Sequence, residues 1–376
     1  MMSTVVRAEA AVLPGGVARD VAVVVANRRI RSVGPASAAP TGSREVTVAG
    51  TLLPGLVDIQ VNGMGGRGCE EDRDDALDVV ARAAWSGGAA AFLPTLITAP
   101  MDALVARCER VARFIESFDA DHDAAMPVGI HLEGPFLEVA GAHEAQHLVA
   151  PTRERVDALL GACRGHLRVL TLSPDLPGAA EATARLTAAG VSVALGHARH
   201  SAHLADCVAA GANHVTHLFN AMSGLHHRDP GIVGFALDDE RLSCGIILDG
   251  IHVHPAAARI ACRVLGTERT LLVTDAANPA GMPDGDYELS GMPVSLRNGA
   301  VRDATGTLAG SALTMADAAT FYLRTIPGAD AAALARVGAT NPARIARAEG
   351  FGCLEVGALG RFAVLGQDGR VQSLRV

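Results

Sequence analysis

Short apolar runs alternate with amphipathic stretches along most of the chain, beginning near residue 53. The apolar runs have strand length and lie at 52–63, 90–98, 127–134, 168–174, 191–197, 213–219, 243–250 and 270–276. The stretches between them are rich in helix-forming residues, and several end in Gly, a common helix stop signal. Only the sixth connection, 219–242, predicts mainly an irregular loop.

The predicted strands are apolar almost throughout, which indicates burial on both faces and therefore a parallel sheet. Eight such strands, joined by helices, predict an α/β fold of the (β/α)8 TIM-barrel type over residues 53–349. A doubly wound open sheet is the alternative, but the Gly-rich turn expected after its first strand is missing. Helix-like segments at 311–325 and 330–348 are expected to complete the barrel.

The two ends of the chain differ from this pattern. Residues 1–52 and 350–376 contain Val-rich runs in which apolar and polar positions alternate, as in half-buried strands. We therefore predict a small β-sandwich domain built from both termini, next to the barrel.

Composition narrows the functional classes. The chain of 376 residues is 49% hydrophobic, carries a net charge of −8 and contains no basic run, so nucleic acid is not an expected partner. No apolar stretch is long enough for a membrane span, and no secretory signal is apparent. Its seven cysteines form no CxxC pair, which favours reduced thiols and a cytoplasmic location. All 32 basic residues are Arg, so neither Schiff-base chemistry nor a carbamylated lysine bridge is available.

Polar residues end the predicted strands, at the edge where barrel enzymes carry their chemistry. They are Gln60, Asn62, Thr95, Glu133, Ser173, His197, His217, Asp249 and Asp275. Two His and one carboxylate from different strands form the ligand set of a catalytic zinc-type site. Glu133, His197 and His217 are therefore the predicted metal ligands, and Asp275 is placed to exchange a proton with the attacking water.

These residues lie in a series of distinctive segments that includes PGLVDIQVNGMGG (54–66), HLEGPFL (131–137), GAH (141–143), THLFNAM (216–222), HHRDPG (226–231), DGIHVHP (249–255), VTDA (273–276) and GTLAGSALTM (306–315). In these segments the chain resembles the N-acetylglucosamine-6-phosphate deacetylases of the amidohydrolase superfamily. The resemblance implies hydrolysis of the acetamide of N-acetyl-D-glucosamine 6-phosphate to D-glucosamine 6-phosphate and acetate. It also implies a small-molecule sugar phosphate as partner, a homodimer, and one divalent metal ion.

Individual roles follow from the resemblance in the same way. Glu133, His197 and His217 match metal ligands, Asp275 matches the catalytic acid and base, and His143 matches a histidine near the scissile carbonyl. The matching substrate-binding positions are Ala142, His143, Asn220, Ala221, Arg228, His252, Leu308, Ala309 and Gly310. Independently of the resemblance, the guanidinium of Arg228 can hydrogen-bond to two phosphate oxygens at once.

The number and kind of metal are a separate question. Many superfamily members hold two metals through His-x-His on strand one, where this chain has Gln60 and Asn62. We interpret these as vestigial second-metal positions and expect one metal. Zinc is expected, although two His and one Glu also suit iron or another divalent metal.

Three other functions stay open at this point. A deacetylase for N-acetylgalactosamine 6-phosphate, another amidohydrolase acting on a small amide, and a non-catalytic binding or scaffold protein could share this fold. The HEAQH sequence (143–147) matches the helical metalloprotease pattern, but here it is expected in a loop. His254, before Pro255, is expected to begin a helix rather than bind a metal.

Overall fold

The computed structural model describes residues 3–376. Its strands, in chain order, are β1 Thr4–Leu13, β2 Gly16–Ala26, β3 Arg29–Pro35, β4 Arg44–Pro54, β5 Leu56–Val61, β6 Gly63–Met64, β7 Arg67–Gly68, β8 Ala89–Ile97, β9 Met126–Pro127, β10 Ile130–Glu133, β11 Leu167–Leu172, β12 Ser192–Leu195, β13 His214–Val215, β14 Ser243–Ile247, β15 Thr270–Val273, β16 Gly285–Leu289, β17 Met292–Arg297, β18 Ala300–Asp303, β19 Arg361–Leu365 and β20 Val371–Arg375. The α-helices are α1 Ala76–Ser86, α2 Met101–Ser117, α3 Arg153–Ala162, α4 Ala179–Ala188, α5 Leu204–Ala209, α6 Gly231–Asp238, α7 Pro255–Arg269, α8 Met315–Thr325, α9 Ala331–Ala335 and α10 Asn341–Ala346.

Eight parallel strands form the central barrel, in the order β5, β8, β10, β11, β12, β13, β14 and β15. A bridge between Val61 and Ala276 joins the first strand to the segment after the last. Asp58 strengthens this closure, because its buried carboxylate accepts hydrogen bonds from the side chain and backbone N–H of Thr274. The predicted (β/α)8 fold is therefore confirmed.

Amphipathic helices cover the outside of the barrel. In α2 the buried side chains are Leu104, Cys108, Val111 and Ala112, which follow the i, i+4, i+7, i+8 spacing of one helix face. The strands beneath them are buried on both faces; all nine residues of β8 are buried. Continuous apolar strands and one-faced helices are what this layered packing requires.

The two ends of the chain meet in one six-stranded sheet, with strand order β20, β19, β4, β1, β2 and β3. β1 pairs in parallel with β4, whereas β19 pairs antiparallel with β4. Val6, Val23 and Phe362 belong to a hydrophobic core of this sheet that is separate from the barrel core. The division of the chain into domains at residues 1–52 plus 350–376 and 53–349 stays a prediction.

Two elements differ from the sequence expectations. The predicted irregular loop at 219–242 contains helix α6, whose Ile232, Val233 and Ala236 are buried. Two glycines weaken the helical pattern there, so packing rather than propensity stabilises this helix. A three-stranded antiparallel sheet, β16–β18, follows the last barrel strand and was not predicted.

Other expectations are confirmed. HEAQH is a loop with one short 3-10 turn, and His254 is the N-cap of α7, where its side chain accepts a hydrogen bond from Ala256 N–H. All seven cysteines lie in the described part of the chain and none is in a disulfide. Among residues 3–376, no helix is long and apolar enough to cross a membrane.

Candidate active site

A cavity of about 430 Å³ opens at the carboxyl ends of the barrel strands. It contains most of the predicted site residues: Asn62, Glu133, Ala142, His143, His197, His217, Asn220, Ala221, His252, Asp275, Leu308 and Gly310. Gln60 and Ala309 lie buried beside it without lining it. Arg228 is exposed on a loop and does not line the cavity in this chain.

Glu133, His197 and His217 form a tight buried cluster at the floor of the cavity. Glu133 Oε1 lies 2.9 Å from His217 Nε2 and 3.2 Å from His197 Nε2, and the two Nε2 atoms are 3.1 Å apart. Four-coordinate zinc with bonds of about 2.0–2.2 Å would place its ligand atoms roughly 3.3–3.6 Å apart. The three observed separations are slightly shorter than this, so the side chains would move apart by a few tenths of an ångström to hold a metal, and their chemistry suits a divalent ion.

The tautomer of His197 supports this fit. Its Nδ1 lies 2.8 Å from the carbonyl oxygen of Val139, which can only accept a hydrogen bond. Nδ1 must therefore carry the proton, so the neutral ring presents the lone pair of Nε2 to the cluster. A backbone carbonyl that fixes a ligand histidine in this way is common around protein metals.

The protonation states of Glu133 and His217 depend on each other. Burial alone would raise the pKa of Glu133, but the hydrogen bond and the positive charge of His217 hold it well below its usual range. Burial alone would lower the pKa of His217, but its hydrogen bond to Glu133 raises it instead. The cluster thus keeps an ionised carboxylate in a buried place, as a metal ligand requires.

The side-chain amides of Gln60 and Asn62, at the end of the first barrel strand, donate hydrogen bonds to the carboxylates of Glu133 and Asp275. Gln60 Nε2 donates to Glu133 Oε1 at 3.0 Å, and Gln60 Oε1 accepts from Thr216. Asn62 Nδ2 donates to Asp275 Oδ1 at 2.7 Å. Side chains alternate along a strand, so Gln60 near the end of β5 and Asn62 just after it point to the same side, towards the carboxylates.

Asp275 lies just after β15 and is 8% exposed. Burial, and then the negative charge of Glu133, raise the pKa of this carboxyl to about 7 in the metal-free protein. A cation in the neighbouring cluster would lower this pKa again, since it favours the ionised form. A carboxyl whose pKa lies near neutrality can both accept and return a proton.

His143 is fixed as a hydrogen-bond donor towards the cavity. Its Nδ1 lies 3.3 Å from the backbone nitrogen of Thr98, which can only donate, and 2.9 Å from Thr98 Oγ1. Nδ1 therefore carries the lone pair, and Nε2 carries the proton, 3.8 Å from Glu133 Oε2. Burial lowers the pKa of His143 to about 3, so the ring stays neutral.

The backbone at the cavity is conformationally unusual. His197, Ala221 and Asp275 adopt positive φ angles of 49°, 52° and 51°. This left-handed region costs residues other than glycine roughly 1–2 kcal/mol each. Such strain persists where surrounding structure enforces it, and it is frequent at functional sites.

On another wall, Asp249 accepts a hydrogen bond from His252 Nδ1 at 2.5 Å, and Asn220 donates to the carbonyl of His217. Sequence reasoning did not identify Thr98 as the partner of His143 or Arg302 as a cavity residue. Thr98 follows the second barrel strand, a position that could have drawn attention to it. No sequence signal marked Arg302.

No protein-family model matches the chain. The chain is 35% identical over 327 residues to the N-acetylgalactosamine-6-phosphate deacetylase of Escherichia coli O157:H7, which covers 86% of this chain and 85% of that protein. It is 35% identical over 340 residues to the human N-acetylglucosamine-6-phosphate deacetylase, covering 86% and 81%.

A solved structure agrees with these relatives. The N-acetyl-D-glucosamine-6-phosphate deacetylase of Mycobacterium smegmatis, an Asp-to-Ala mutant in complex with N-acetyl-D-glucosamine-6-phosphate, superimposes with a TM-score of 0.91 and 31% identity. The match covers 100% of this chain and 98% of that one. The chain therefore belongs to the N-acetylglucosamine-6-phosphate deacetylase family of the amidohydrolase superfamily.

Proposed function

We propose that this protein hydrolyses the acetamide of N-acetyl-D-glucosamine 6-phosphate, releasing acetate and D-glucosamine 6-phosphate. The observation that carries the proposal is the buried Glu133, His197 and His217 cluster beside Asp275, in a cavity of a chain from this family. A non-catalytic scaffold would have no need to bury an ionised carboxylate among two imidazoles, because such burial is costly without a function.

One divalent metal, held by Glu133, His197 and His217, is part of the proposal, with zinc as the expected ion. When bound, the metal polarises the acetamide carbonyl and makes water a stronger nucleophile. The Gln60 amide donates to Glu133 through its nitrogen and accepts from Thr216 through its oxygen, so it is not free to bind a second metal, which supports a single metal. Gln60 and Asn62 position Glu133 and Asp275.

Asp275 is the proposed general base and acid. It takes a proton from water as the oxygen attacks the acetamide carbon, while Nε2–H of His143 donates to the carbonyl oxygen that becomes negative. Asp275 then returns the proton to the nitrogen, and the carbon–nitrogen bond breaks. The atoms balance: water supplies an oxygen and one proton to acetic acid, which ionises to acetate, and its other proton to the free amine.

The remaining cavity residues are proposed to bind the sugar phosphate. Ala142, Asn220, Ala221, His252 and the segment 308–310 surround the space above the cluster. In this segment Ala309 is fully buried, so its contribution would come from the backbone.

Arg228 is also proposed as a phosphate ligand, although it lies outside the cavity of its own chain. The sixth and seventh connections also carry exposed large apolar side chains: Leu225, Phe235, Ile251, Ile260 and Val264. A concentration of such residues is typical of an interface. We propose a homodimer that covers this surface, from which Arg228 would reach a phosphate. Seven unpaired cysteines support a cytoplasmic enzyme.

N-acetyl-D-galactosamine 6-phosphate is the second candidate substrate. The Escherichia coli relative described above carries this name. The two sugars differ only in the orientation of one hydroxyl, which the proposed metal and Asp275 would not contact. The reaction and its catalytic residues would therefore be the same for both.

Acetate release tests the proposal directly. The purified protein is assayed with both N-acetylhexosamine 6-phosphates, their unphosphorylated forms and an unrelated small amide. We expect the highest kcat/KM for the gluco 6-phosphate. A higher value for the galacto form would select the second candidate, and release from neither phosphorylated sugar would reject the proposal.

A further inference from the structure

Arg302 is the only arginine that lines the cavity in residues 3–376. It lies on β18, the last strand of the three-stranded sheet, and its neighbour Val301 points into the hydrophobic core of that sheet. Successive residues of a strand face opposite sides. The burial of Val301 therefore directs Arg302 away from the sheet core, on the side of the cavity.

The local backbone holds this strand against a segment of the cavity wall. Arg302 and Leu308 form an antiparallel bridge, and Ala309 N–H donates to the Val301 carbonyl. The Arg302 side chain donates to the carbonyl of Gly306 at 2.7 Å. Arg302 is thus attached to the same segment that contributes Leu308 and Gly310 to the cavity.

The charge of Arg302 has no carboxylate partner in the described chain within 4.0 Å, whereas Arg297 of the same sheet pairs with Asp286. The adjacent carboxylate of Asp303 instead accepts hydrogen bonds from Thr305 and Thr307 within its own turn. A guanidinium keeps its charge at every physiological pH and suits two phosphate oxygens. Arg302 is therefore an available permanent cation.

The position of this cation suits one end of the proposed substrate. Glu133, His197 and His217 are 3–4% exposed, whereas Arg302 is exposed, so the cluster lies at the floor and Arg302 at the mouth. In a hexopyranose 6-phosphate, the 2-acetamido group and the phosphate are attached on opposite sides of the ring. An acetamide at the floor therefore directs the phosphate towards the mouth.

We propose that Arg302 binds the substrate phosphate and makes the enzyme prefer 6-phosphorylated over unphosphorylated N-acetylhexosamines. This inference rests on the proposed function. Arg302 compensates the phosphate charge in a cavity that already contains the carboxylates of Glu133 and Asp275. Because the phosphate does not react, its contact with Arg302 is the same in ground and transition states, so Arg302 acts on KM rather than on kcat.

The test compares R302Q and R302K with the wild type, using R297Q as the matched control from the same sheet. For R302Q we expect KM for N-acetyl-D-glucosamine 6-phosphate to rise about 10- to 100-fold, the effect of losing a hydrogen bond to a charged group. The kcat should change little, and R302K should recover part of the loss. Activity on unphosphorylated N-acetyl-D-glucosamine, and all constants of R297Q, should stay within about twofold.

Inorganic phosphate provides a second measurement that does not need turnover of the weaker substrate. It should inhibit the wild type competitively, with an inhibition constant that rises in R302Q. Unchanged KM and phosphate inhibition in R302Q would overturn the inference, as would equal losses on both sugars. A wild type that releases no acetate from phosphorylated sugars would instead reject the proposed function itself.

Discussion

Replacing Asp275 with Asn separates its proposed catalytic role from its structural one. The substitution keeps the shape of the side chain and an oxygen that can accept the hydrogen bond from Asn62. Asn also tolerates the left-handed backbone at this position, where φ is 51°. Only the ability to take a proton is lost. We expect kcat to fall about 10²- to 10⁴-fold, the usual contribution of a positioned general base.

The same substitution has a calculable effect on stability. Burial and the charge of Glu133 raise the pKa of Asp275 from 3.8 to about 7 in the metal-free protein. Between these values the unfolded chain ionises this carboxyl while the folded chain keeps it protonated, so stability falls as pH rises. The loss is about 3 kcal/mol between pH 4 and pH 7. The Asn variant lacks this loss and should therefore be more stable than the wild type at pH 8.

Two assays check this pair of effects. Acetate release is measured on the metal-loaded enzymes, and urea unfolding is measured on metal-free protein between pH 4 and pH 8. Asp317→Asn, an exposed change at the start of α8, is the control for both. Activity within tenfold of the wild type would refute Asp275 as the base. A stability advantage that grew as pH fell would refute the raised pKa.

Three further predictions follow from other contacts. Thr98→Val removes the hydroxyl contact to His143 but keeps the backbone one, so kcat should fall about 3- to 10-fold with normal metal content, a loss typical of one hydrogen bond; an unchanged kcat would count against orientation by the hydroxyl. Metal removal by a chelator should abolish acetate release and lower the melting temperature, with recovery on adding zinc; a fully active metal-free protein would contradict the proposed site. Burial lowers the pKa of His131 to about 4 and of His214 to about 3, so the unfolded chain binds these protons first and stability should fall as pH drops below about 6.5. His214→Phe should reduce the slope of unfolding free energy against pH by about 1.4 kcal/mol per unit between pH 6 and pH 4.5, and an unchanged slope would show that this histidine is protonated when folded.

Much of the site was predictable because residues at the carboxyl ends of different strands lie close together in a parallel barrel. The carboxyl ends of parallel strands meet at one edge, so Glu133, His197, His217 and Asp275 could be expected together although up to 142 positions separate them. Their chemical types then indicated a metal and a base. Neither inference needed knowledge of the loops.

The parts that were not predicted depend on contacts between loops. Thr98 hydrogen-bonds to His143, which is 45 positions away in the sequence, and no sequence pattern predicts such a pair. The small sheet that carries Arg302 had one local signal, the Asn298-Gly299 turn between β17 and β18, which favours a two-residue hairpin. Helix α6 had no local sequence signal, because its stability depends on buried Ile232 and Val233 rather than on helix propensity.

The central claim is that Glu133, His197 and His217 hold one metal on which deacetylation depends. It is tested by measuring the metal content of the purified protein together with acetate release from N-acetyl-D-glucosamine 6-phosphate. The wild type and the exposed control Glu138→Gln should contain about one divalent ion per chain and release acetate, whereas Glu133→Gln should lose both. A wild type that releases acetate without metal, or a Glu133→Gln variant that keeps metal and activity, would contradict the account.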